Sequence, residues 1–391
     1  MNLRNLHMRI LIIHNQYQHI GGEDFVMGQE MEALRKNHEV ELYTVRNVKD
    51  LKGYIQYLLY PINWPEVKKI KAKIEEFKPD IIHIHNIHYA LGPLFILHIK
   101  KLKVPMVMTL HNFRLICPSA TLFYNGNIFL KSINEDFPWD AVKKKVLENS
   151  YFKTFWTAFT YWVHRKRGTF NLVDRYIALS DFSKSIFIKS KLNIPNNKFV
   201  VKPNFVKVAE VSKVYPSDYF VYVGRLSEEK GILPMLHAWK ATNHNIKIFG
   251  TGPLQKEVEL ICSNSPNMQY LGFQDKQSLS NHIASASAVI VPSICYESMP
   301  LAVLEAYALG TPVIASNIGI LAEMVVPLYT GLLFDPHNHI NLVQTLSEWN
   351  SLPADQINEI KDNCRKEYVE KYSQQIVMGE LERIYSEVLA E

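Results

Sequence analysis

Two cations and two carboxylates, all next to predicted turns, could act on a phosphorylated substrate. Arg225 and Lys230 lie in "VGRLSEEKG", and Glu297 and Glu305 lie in the apolar segment "ICYESMPLAVLEAYALG". Arginine binds phosphate oxygens through its planar guanidinium group, and lysine binds them as a point charge. A carboxylate in an apolar segment is costly unless it is paired or contacts a polar ligand. These residue types therefore favour a site for a phosphorylated ligand.

A purely structural role is the alternative for all four residues. The two cations could pair with the adjacent glutamates of their own loop, and Glu297 and Glu305 could be a loop residue and a partly exposed helical residue. Spacing alone does not separate the two interpretations.

The segment between the two glutamates predicts the start of a helix. "AVIVPS" has the composition of a buried strand, Pro300 suits the first helical turn because it has no N–H group, and Gly310 suits the end of the helix. Unpaired N–H groups and the dipole at a helix N-terminus favour a diphosphate. The residues at this predicted N-terminus are Ser298, Met299, Pro300 and Leu301.

Two glycine-containing segments are a second, weaker indication of a ligand site. Gly21 and Gly22 follow the first predicted strand, where they can adopt positive φ and let a ligand approach the backbone. The dinucleotide motif GxGxxG with its later ribose-binding acid is absent from the sequence, which argues against a dehydrogenase. "FGTGP", with Gly250, fits a plain turn at least as well as a ligand site.

Histidines end two predicted strands. His83 and His85 share one face of "IIHIHN", and His111 ends "VMTLH". No acidic residue is close to them in the sequence, so we expect no metal site, and we expect His111 and His85 to reach the same edge of one sheet.

The elements that must position these residues are alternating strands and helices. A first series of predicted strands runs from "MRILIIHNQ" to "RYIALS", and a second series runs from "DYFVYVG" to "TGLLF". This alternation predicts parallel, doubly wound α/β sheets, in which ligands bind beyond the carboxyl ends of the strands. A segment rich in Asn, Pro and Lys separates the two series near Asn204 to Lys213, and a chain of 391 residues favours two domains.

Composition narrows the class of protein. A formal net charge of +5, with 47% hydrophobic and 21% charged residues, is typical of an ordinary globular protein and does not indicate a nucleic-acid-binding protein. Four scattered cysteines suit a reducing compartment. No apolar segment approaches the roughly 20 residues of a membrane span. We therefore expect a cytoplasmic protein.

One segment could touch a membrane. Residues 151–170 combine aromatic residues at helical spacing with several Lys and Arg, which is typical of an interfacial amphipathic helix. The alternative is a helix that packs on its own domain.

Seven motifs occur in order along nearly the whole chain: "GGED", "LHNFRLICP", "VGRLSEEKG", "FGTGP", "LGF", "VPSICYESMPLAVLEAYALGTPVIAS" and "TGLLF". Together they resemble the glycosyltransferases of family 4. The resemblance implies the GT-B fold, in which two Rossmann-like domains face each other across a cleft. It implies an acceptor-side domain of residues 1–205, a nucleotide-sugar-binding domain of residues 206–371, and a helix of about residues 372–391 that packs back on the first domain.

The resemblance also implies a reaction and a role for each residue. The reaction is a retaining, metal-independent transfer of a sugar from a nucleoside-diphosphate sugar. Arg225 and Lys230 would hold the diphosphate, Glu297 would contact the sugar, and Glu305 would bind the ribose. The other residues that would border the donor or the reacting sugar are Gly21, Gly22, His111, Gly250, Phe273 and the amides around Ser298 to Leu301.

Three departures from the family pattern concern the acceptor and the linker. The linker has "NFVK" in place of Asn-Gly-Val-Asp, "GGED" followed by Phe25 differs from relatives with a small residue after the glycines, and no cysteine cluster follows "LICP". We expect a UDP- or GDP-linked hexose-type donor and a lipid-linked or polysaccharide acceptor of bacterial envelope synthesis, with the protein peripheral to the inner membrane face if residues 151–170 bind lipid. A GT-B epimerase or phosphorylase, and a non-catalytic sugar-nucleotide-binding scaffold, are the alternatives.

Overall fold

The computed structural model describes residues 7–18, 21–211 and 217–391. These residues form two units, one made of the residues up to Leu122 with Phe129–Asn204 and Val377–Glu391, the other of Phe123–Ile128 with Phe205–Ile376.

The predicted domain boundary, between residues 205 and 206, is one residue from the division after Asn204. The structure adds that residues 123–128 group with the second unit, whereas a single boundary would leave them in the first. Lys213, at the end of the predicted linker, lies outside the described residues. The assignment of acceptor and donor to the two units stays a prediction.

Strands were predicted mainly from continuous apolar runs. In chain order they are β1 (Arg9–Gln16), β2 (Glu39–Arg46), β3 (Ile81–Asn86), β4 (Met106–Leu110), β5 (Phe123–Tyr124), β6 (Asn127–Ile128), β7 (Arg175–Ala178), β8 (Phe199–Val201), β9 (Phe220–Val223), β10 (Ile246–Phe249), β11 (Met268–Gly272), β12 (Val289–Val291), β13 (Val313–Ser316) and β14 (Gly331–Phe334).

Each unit is built on a six-stranded parallel sheet. The strand order is β2-β1-β3-β4-β7-β8 in the first unit and β11-β10-β9-β12-β13-β14 in the second. Residues 10–13 of β1 and 313–315 of β13 have no exposed surface, which explains their unbroken apolar runs. The predicted fold class, two doubly wound parallel-sheet α/β domains, is confirmed.

Helices connect the strands. They are α1 (Gly22–Leu34), α2 (Leu51–Leu59), α3 (Trp64–Phe77), α4 (Leu94–Ile99), α5 (Lys131–Asn134), α6 (Trp139–Lys143), α7 (Tyr151–Lys166), α8 (Asp181–Lys189), α9 (Ile232–Trp239), α10 (Gln255–Ser263), α11 (Lys276–Ser285), α12 (Leu301–Leu309), α13 (Gly319–Met324), α14 (His339–Ser351), α15 (Ala354–Glu367) and α16 (Gln374–Ala390). Within the described ranges, no helix is long and apolar enough to cross a membrane.

The last helix packs on the first unit. α16 begins after Ser373, which has an extended backbone, and it buries an apolar face that includes Leu381 and Ile384. Its Tyr385 hydroxyl lies 2.6 Å from Nδ1 of His83 in β3. The end of the chain is therefore held on the first sheet by burial and by a buried hydrogen bond.

Candidate functional site

The strand order of the second sheet reverses between β9 and β12. Such a reversal leaves a crevice at the carboxyl ends of the two strands, where open α/β sheets bind ligands. The loops that leave these strands are residues 224–231 after β9 and residues 292–300 after β12. Both loops carry the charged residues that the sequence singled out.

Glycines hold the loops at this edge in direct backbone contact. Gly231 has φ +66°, and a Cβ there would lie 1.9 Å from the carbonyl oxygen of Pro292. Gly250 has φ +125°, and a Cβ there would lie 2.0 Å from the carbonyl oxygen of Gly224. Because only glycine fits at these positions, they fix the geometry of the loops. The weak "FGTGP" signal is thus explained by packing between loops, and a donor contact at Gly250 stays a prediction.

Lys230 and Glu297 meet where the two loops come together. Nζ of Lys230 lies 2.6 Å from Oε1 of Glu297, and the hydroxyl of Ser293 donates to the same oxygen at 2.6 Å. The Lys230 side chain is 28% exposed and that of Glu297 is 11% exposed. The pair is therefore accessible to a ligand, and Lys230 does not pair with the adjacent glutamates of its own loop.

Each member of the pair keeps the other ionised. Burial would raise the pKa of Glu297, but the charge of Lys230 and hydrogen bonds from Lys230 and Ser293 outweigh it and lower that pKa. Burial would lower the pKa of Lys230, but the Glu297 carboxylate raises it above its usual value. The site thus offers a ligand the charged ammonium group of Lys230, which the Glu297 carboxylate already holds in position.

Arg225 and Phe273 are exposed at the same edge of the sheet. Arg225 follows β9, and its side chain makes no ion pair or hydrogen bond with a described residue. Phe273 follows β11 and is 81% exposed. An unpaired guanidinium group and an exposed aromatic ring are both available to a ligand.

The segment after Glu297 enters α12 as predicted, with one difference. Pro300 is the N-cap residue rather than a residue of the first turn, and no side chain in the described part of the chain caps the helix. Gly310 ends the helix with φ +70°. Ser298 and Met299 precede the cap, and Leu301 begins the helix, so this N-terminus is open to an anion.

Glu305 lies in the second turn of α12 and differs from Glu297. It makes no hydrogen bond or ion pair with a described residue, and burial raises its pKa to about 7 although Lys276 opposes this. A carboxyl group kept half-buried without a protein partner is costly, which favours a ligand contact.

The first unit carries the other predicted residues, beyond β1 and β3, where its strand order reverses. Gly21 is the N-cap of α1 with φ −123°, and Gly22 is the first residue of that helix. The expectation of positive φ is wrong for both glycines, because a helix begins here. Among the described residues, a Cβ on Gly21 would meet only Oδ2 of Asp24 at 3.9 Å. Packing against the described residues therefore does not require this glycine.

His111 and His85 lie together as predicted. Nε2 of His111 is 2.9 Å from Nδ1 of His85, and the rings stack with centroids 5.2 Å apart. Burial, with His85 beside it, holds the pKa of His111 well below its usual range, so the ring is neutral at neutral pH.

An acidic residue does approach the histidines, contrary to the expectation from the sequence. Oε1 of Glu30, on α1, lies 3.4 Å from Nδ1 of His83 and 3.4 Å from Nε2 of His85. These three donors have metal-ligand spacing. Glu30 is also 2.6 Å from Nζ of Lys202, and Nε2 of His83 lies 2.8 Å from the Thr109 hydroxyl. The lysine charge beside the carboxylate makes this a hydrogen-bonded ion pair rather than a fitting cation site.

Sequence reasoning missed a polar cluster beside Gly22. Oε2 of Glu23 accepts a hydrogen bond from Asn112 at 3.2 Å, while its buried Oε1 has no partner among the described residues. Burial raises the pKa of Glu23 to about 8, and Asp24 adds to the shift. Glu23 stands in the "GGED" motif, but its contact with Asn112 spans 89 positions and leaves no local signal.

Two family models match consecutive parts of the chain. The model of the glycosyl transferases group 1 matches residues 208–367, and the model of the glycosyltransferase family 4 matches residues 20–210.

Individual proteins are similar over the same regions. An uncharacterised glycosyltransferase of Methanocaldococcus jannaschii is 24% identical over 398 residues, covering 97% of this chain and 99% of that protein. A protein of Escherichia coli, provisionally named a colanic acid biosynthesis glycosyltransferase, is 22% identical over 174 residues, covering 41% of this chain and 43% of that protein.

The crystal structure of the Anabaena protein HepE in complex with UDP superposes with a TM-score of 0.69 at 16% identity, covering 97% of this chain and 100% of that chain. This likeness, with the two parallel sheets, confirms the predicted GT-B fold.

Proposed function

Because the chain belongs to the glycosyltransferases of family 4, we propose that it transfers a hexose-type sugar from a UDP- or GDP-linked donor with retention of anomeric configuration. The observation that carries the proposal is the Lys230–Glu297 pair, 2.6 Å apart, beside the uncapped N-terminus of α12. Cationic side chains and helix N–H groups at one point suit a diphosphate leaving group.

Each residue of the site has its own role in the proposed reaction. Arg225 and Lys230 bind the diphosphate and stabilise the charge that develops when the bond between the anomeric carbon and the phosphate oxygen breaks. The acceptor hydroxyl attacks the same face of the sugar, its oxygen bonds to the anomeric carbon, and its proton passes to the leaving phosphate. Glu297 holds Lys230 in position and contacts the donor sugar, and Glu305 binds the ribose hydroxyls.

No divalent metal is part of this proposal. Two side-chain cations and the dipole of α12 supply the positive charge that a metal supplies in other transferases. His111 is stacked on His85 and its lowered pKa makes it a weak base, so it would contact the reacting sugar without taking the acceptor's proton. Gly21, where a Cβ would come no closer than 3.9 Å to any described side chain, would let the donor approach the backbone of the first unit.

The acceptor that we propose is a lipid-linked or polysaccharide intermediate of bacterial surface polysaccharide synthesis. The similarity to polysaccharide-biosynthesis glycosyltransferases supports this class of acceptor. A lipid-linked acceptor places the reaction at the inner face of the membrane, so peripheral association with that face is included in the proposal.

Donor turnover by point variants tests the site. We expect K230A and E297A to lower the transfer rate by at least about 100-fold, as loss of one preorganised charge-stabilising group does in other enzymes. K240A, at an exposed lysine of the same unit, is the matched control and keeps the wild-type rate. Near wild-type rates in K230A and E297A would remove the site assignment.

Labelled nucleotide-sugars distinguish the alternative reactions. We expect hydrolysis or transfer of labelled UDP- or GDP-sugar, with the product retaining the anomeric configuration by NMR. Interconversion of the free nucleotide-sugar would identify an epimerase, and release of a sugar phosphate a phosphorylase. Binding of a donor without any turnover would identify a scaffold.

A further inference from the structure

Helix α2 turns an apolar stripe towards the solvent. Leu51, Tyr54, Ile55 and Leu58 follow the i, i+3, i+4, i+7 spacing of one helical face, and all four are exposed, Leu51 by 80% and Tyr54 by 66%. A helix of a globular protein normally buries this stripe against its core. Six of the seventeen large apolar side chains that are exposed among the described residues lie in residues 51–64.

The stripe continues onto the first turn of α7. The Tyr57 hydroxyl donates to the carbonyl oxygen of Lys153 at 2.6 Å, and Nε1 of Trp156 donates to the carbonyl oxygen of Tyr57 at 2.8 Å. These bonds hold α2 beside the start of α7, where Tyr151 and Phe152 are exposed. We call the exposed side chains Leu51, Tyr54, Ile55, Leu58, Tyr151 and Phe152 the α2–α7 surface.

The remainder of α7 does not belong to this surface. The indole of Trp162 donates to Asp136 at 3.2 Å, that of Trp156 is bonded to α2, and Phe155 and Phe159 are half-buried beside other aromatic rings. The aromatic stretch of residues 151–170 therefore packs mostly on its own unit, and only its beginning is free to bind something else.

Lysines surround the α2–α7 surface. Lys49 and Lys52 are exposed at the start of α2, and Lys153 is exposed next to Phe152. Nζ of Lys145 lies 4.6 Å from the centre of the Tyr151 ring. Residues 143–153, which end at this surface, contain four lysines and one acidic residue, Glu148, which pairs with Lys153. A partner for this surface must accept apolar side chains at its centre and carry negative charge around them.

An anionic bilayer has that chemistry. Aliphatic and tyrosine side chains insert at the boundary between headgroups and acyl chains, while lysines reach back to the anionic headgroups. A protein interface is a poorer match, because lysine is depleted there. We propose that the α2–α7 surface docks the first unit on an anionic lipid bilayer. This inference rests on the proposed lipid-linked acceptor, because docking would hold the first unit against the membrane that contains it.

Vesicle co-sedimentation of the purified full chain tests the proposal. We expect the protein to bind vesicles of phosphatidylglycerol and phosphatidylcholine, and to bind pure phosphatidylcholine about tenfold more weakly because the lysines lose their counter-charge. We expect I55E/L58E to lose at least about tenfold in binding, since two charges replace two inserting aliphatic side chains. The exposed Leu260 of the second unit provides the matched control, and L260E binds like the wild type.

Two further measurements separate the possible failures. Thermal unfolding of I55E/L58E should match that of the wild type, because both side chains are exposed. Vesicle binding without sugar turnover would support the docking surface and contradict the proposed reaction. Sugar turnover without vesicle binding would support the reaction and contradict the docking surface. Equal lipid binding by I55E/L58E and the wild type, or loss of self-association in I55E/L58E without any lipid binding by the wild type, would overturn the docking surface.

Discussion

Glu297 and Glu305 stand in one segment, yet their surroundings shift their pKa values in opposite directions. Lys230 and Ser293 hold the pKa of Glu297 below its usual range despite burial. Glu305 has no such partner, and burial raises its pKa to about 7. Two carboxylates that differ in this way take different roles, and here neither is set up as a general base that shares a proton with the other.

Nucleotide-sugar binding should therefore depend on pH through Glu305. A carboxylate that accepts hydrogen bonds from ribose hydroxyls binds best when ionised, so the bound state lowers its pKa and affinity rises with pH up to about 7 and then levels off. Calorimetry with the intact nucleotide-sugar avoids the titrating terminal phosphate of a free nucleoside diphosphate. We expect E305Q to bind more weakly and without this rise.

The exposed Glu257 of α10 provides the control for this titration. E257Q should keep both the affinity and the pH profile of the wild type. A rise in affinity that persists in E305Q would assign the titration to another group.

At the scale of elements, the loops after β9, β10 and β12 depend on glycine contacts. We expect G231A to lower the free energy of unfolding by about 1–3 kcal/mol, since alanine is strained at φ +66° and its Cβ would meet the Pro292 carbonyl. The shifted loop would also carry Lys230 away from Glu297 and weaken donor binding. Urea unfolding and nucleotide-sugar titration measure the two effects.

Gly379 provides a control in which the same substitution should change the free energy of unfolding in the opposite direction. It lies within α16, and a Cβ there would meet no atom of the described residues within 4 Å. We expect G379A to raise the free energy of unfolding by about 0.5–1 kcal/mol through helix propensity. Destabilisation by G379A, or unchanged stability in G231A, would contradict this account of the loops.

The local sequence predicted those strands that are buried along their whole length. Apolar runs such as "MRILIIHNQ" predicted β1 and its counterparts, since a strand buried on both faces leaves that signal. β8 was missed because its three residues lie in a segment rich in Asn, Pro and Lys. α2 was missed although its apolar residues have helical spacing, since it is only nine residues long and contains Gly53, which lowers helix propensity.

The site was predictable only where it lies in loops next to strand ends. Lys230 and Glu297 were found from their positions after β9 and β12, although their contact spans 67 positions. The approach of Glu30 to His83 and His85 was missed because nothing in the local sequence of α1 or β3 encodes which helix covers which strand. Contacts between a helix and the strands that it covers depend on the strand order, which the local sequence does not reveal.

At the scale of the whole molecule, both units apply one plan: a six-stranded parallel sheet that places its chemical groups where the strand order reverses. In the first unit, this plan brings together segments that are far apart in the chain. Lys202, after β8, is 1% exposed and pairs with Glu30 of α1 across 172 positions. One buried ion pair thereby joins the helix after the first strand of the sheet to the residue after its last strand.

The stability of the first unit should therefore depend strongly on this pair. Burial opposes ionisation of Glu30, but Lys202 first, and then the two histidines, hold its pKa well below its usual range. Its contribution to stability is thus present above the usual carboxyl pKa and is lost as pH falls through the lowered value. We expect K202M to lower the free energy of unfolding by about 3–5 kcal/mol near neutral pH, because it leaves a buried carboxylate without a counter-charge.

The pH profile of K202M distinguishes this cause from a simple packing defect. Without Lys202, burial raises the pKa of Glu30, so K202M should become less stable as pH rises, opposite to the trend that the pair gives the wild type. E30L/K202M removes both charges and should recover much of the loss, whereas K240M, at an exposed lysine, should change stability by less than about 0.5 kcal/mol. A K202M protein with the wild-type pH trend would mean that the histidines alone, rather than the lysine, keep Glu30 ionised.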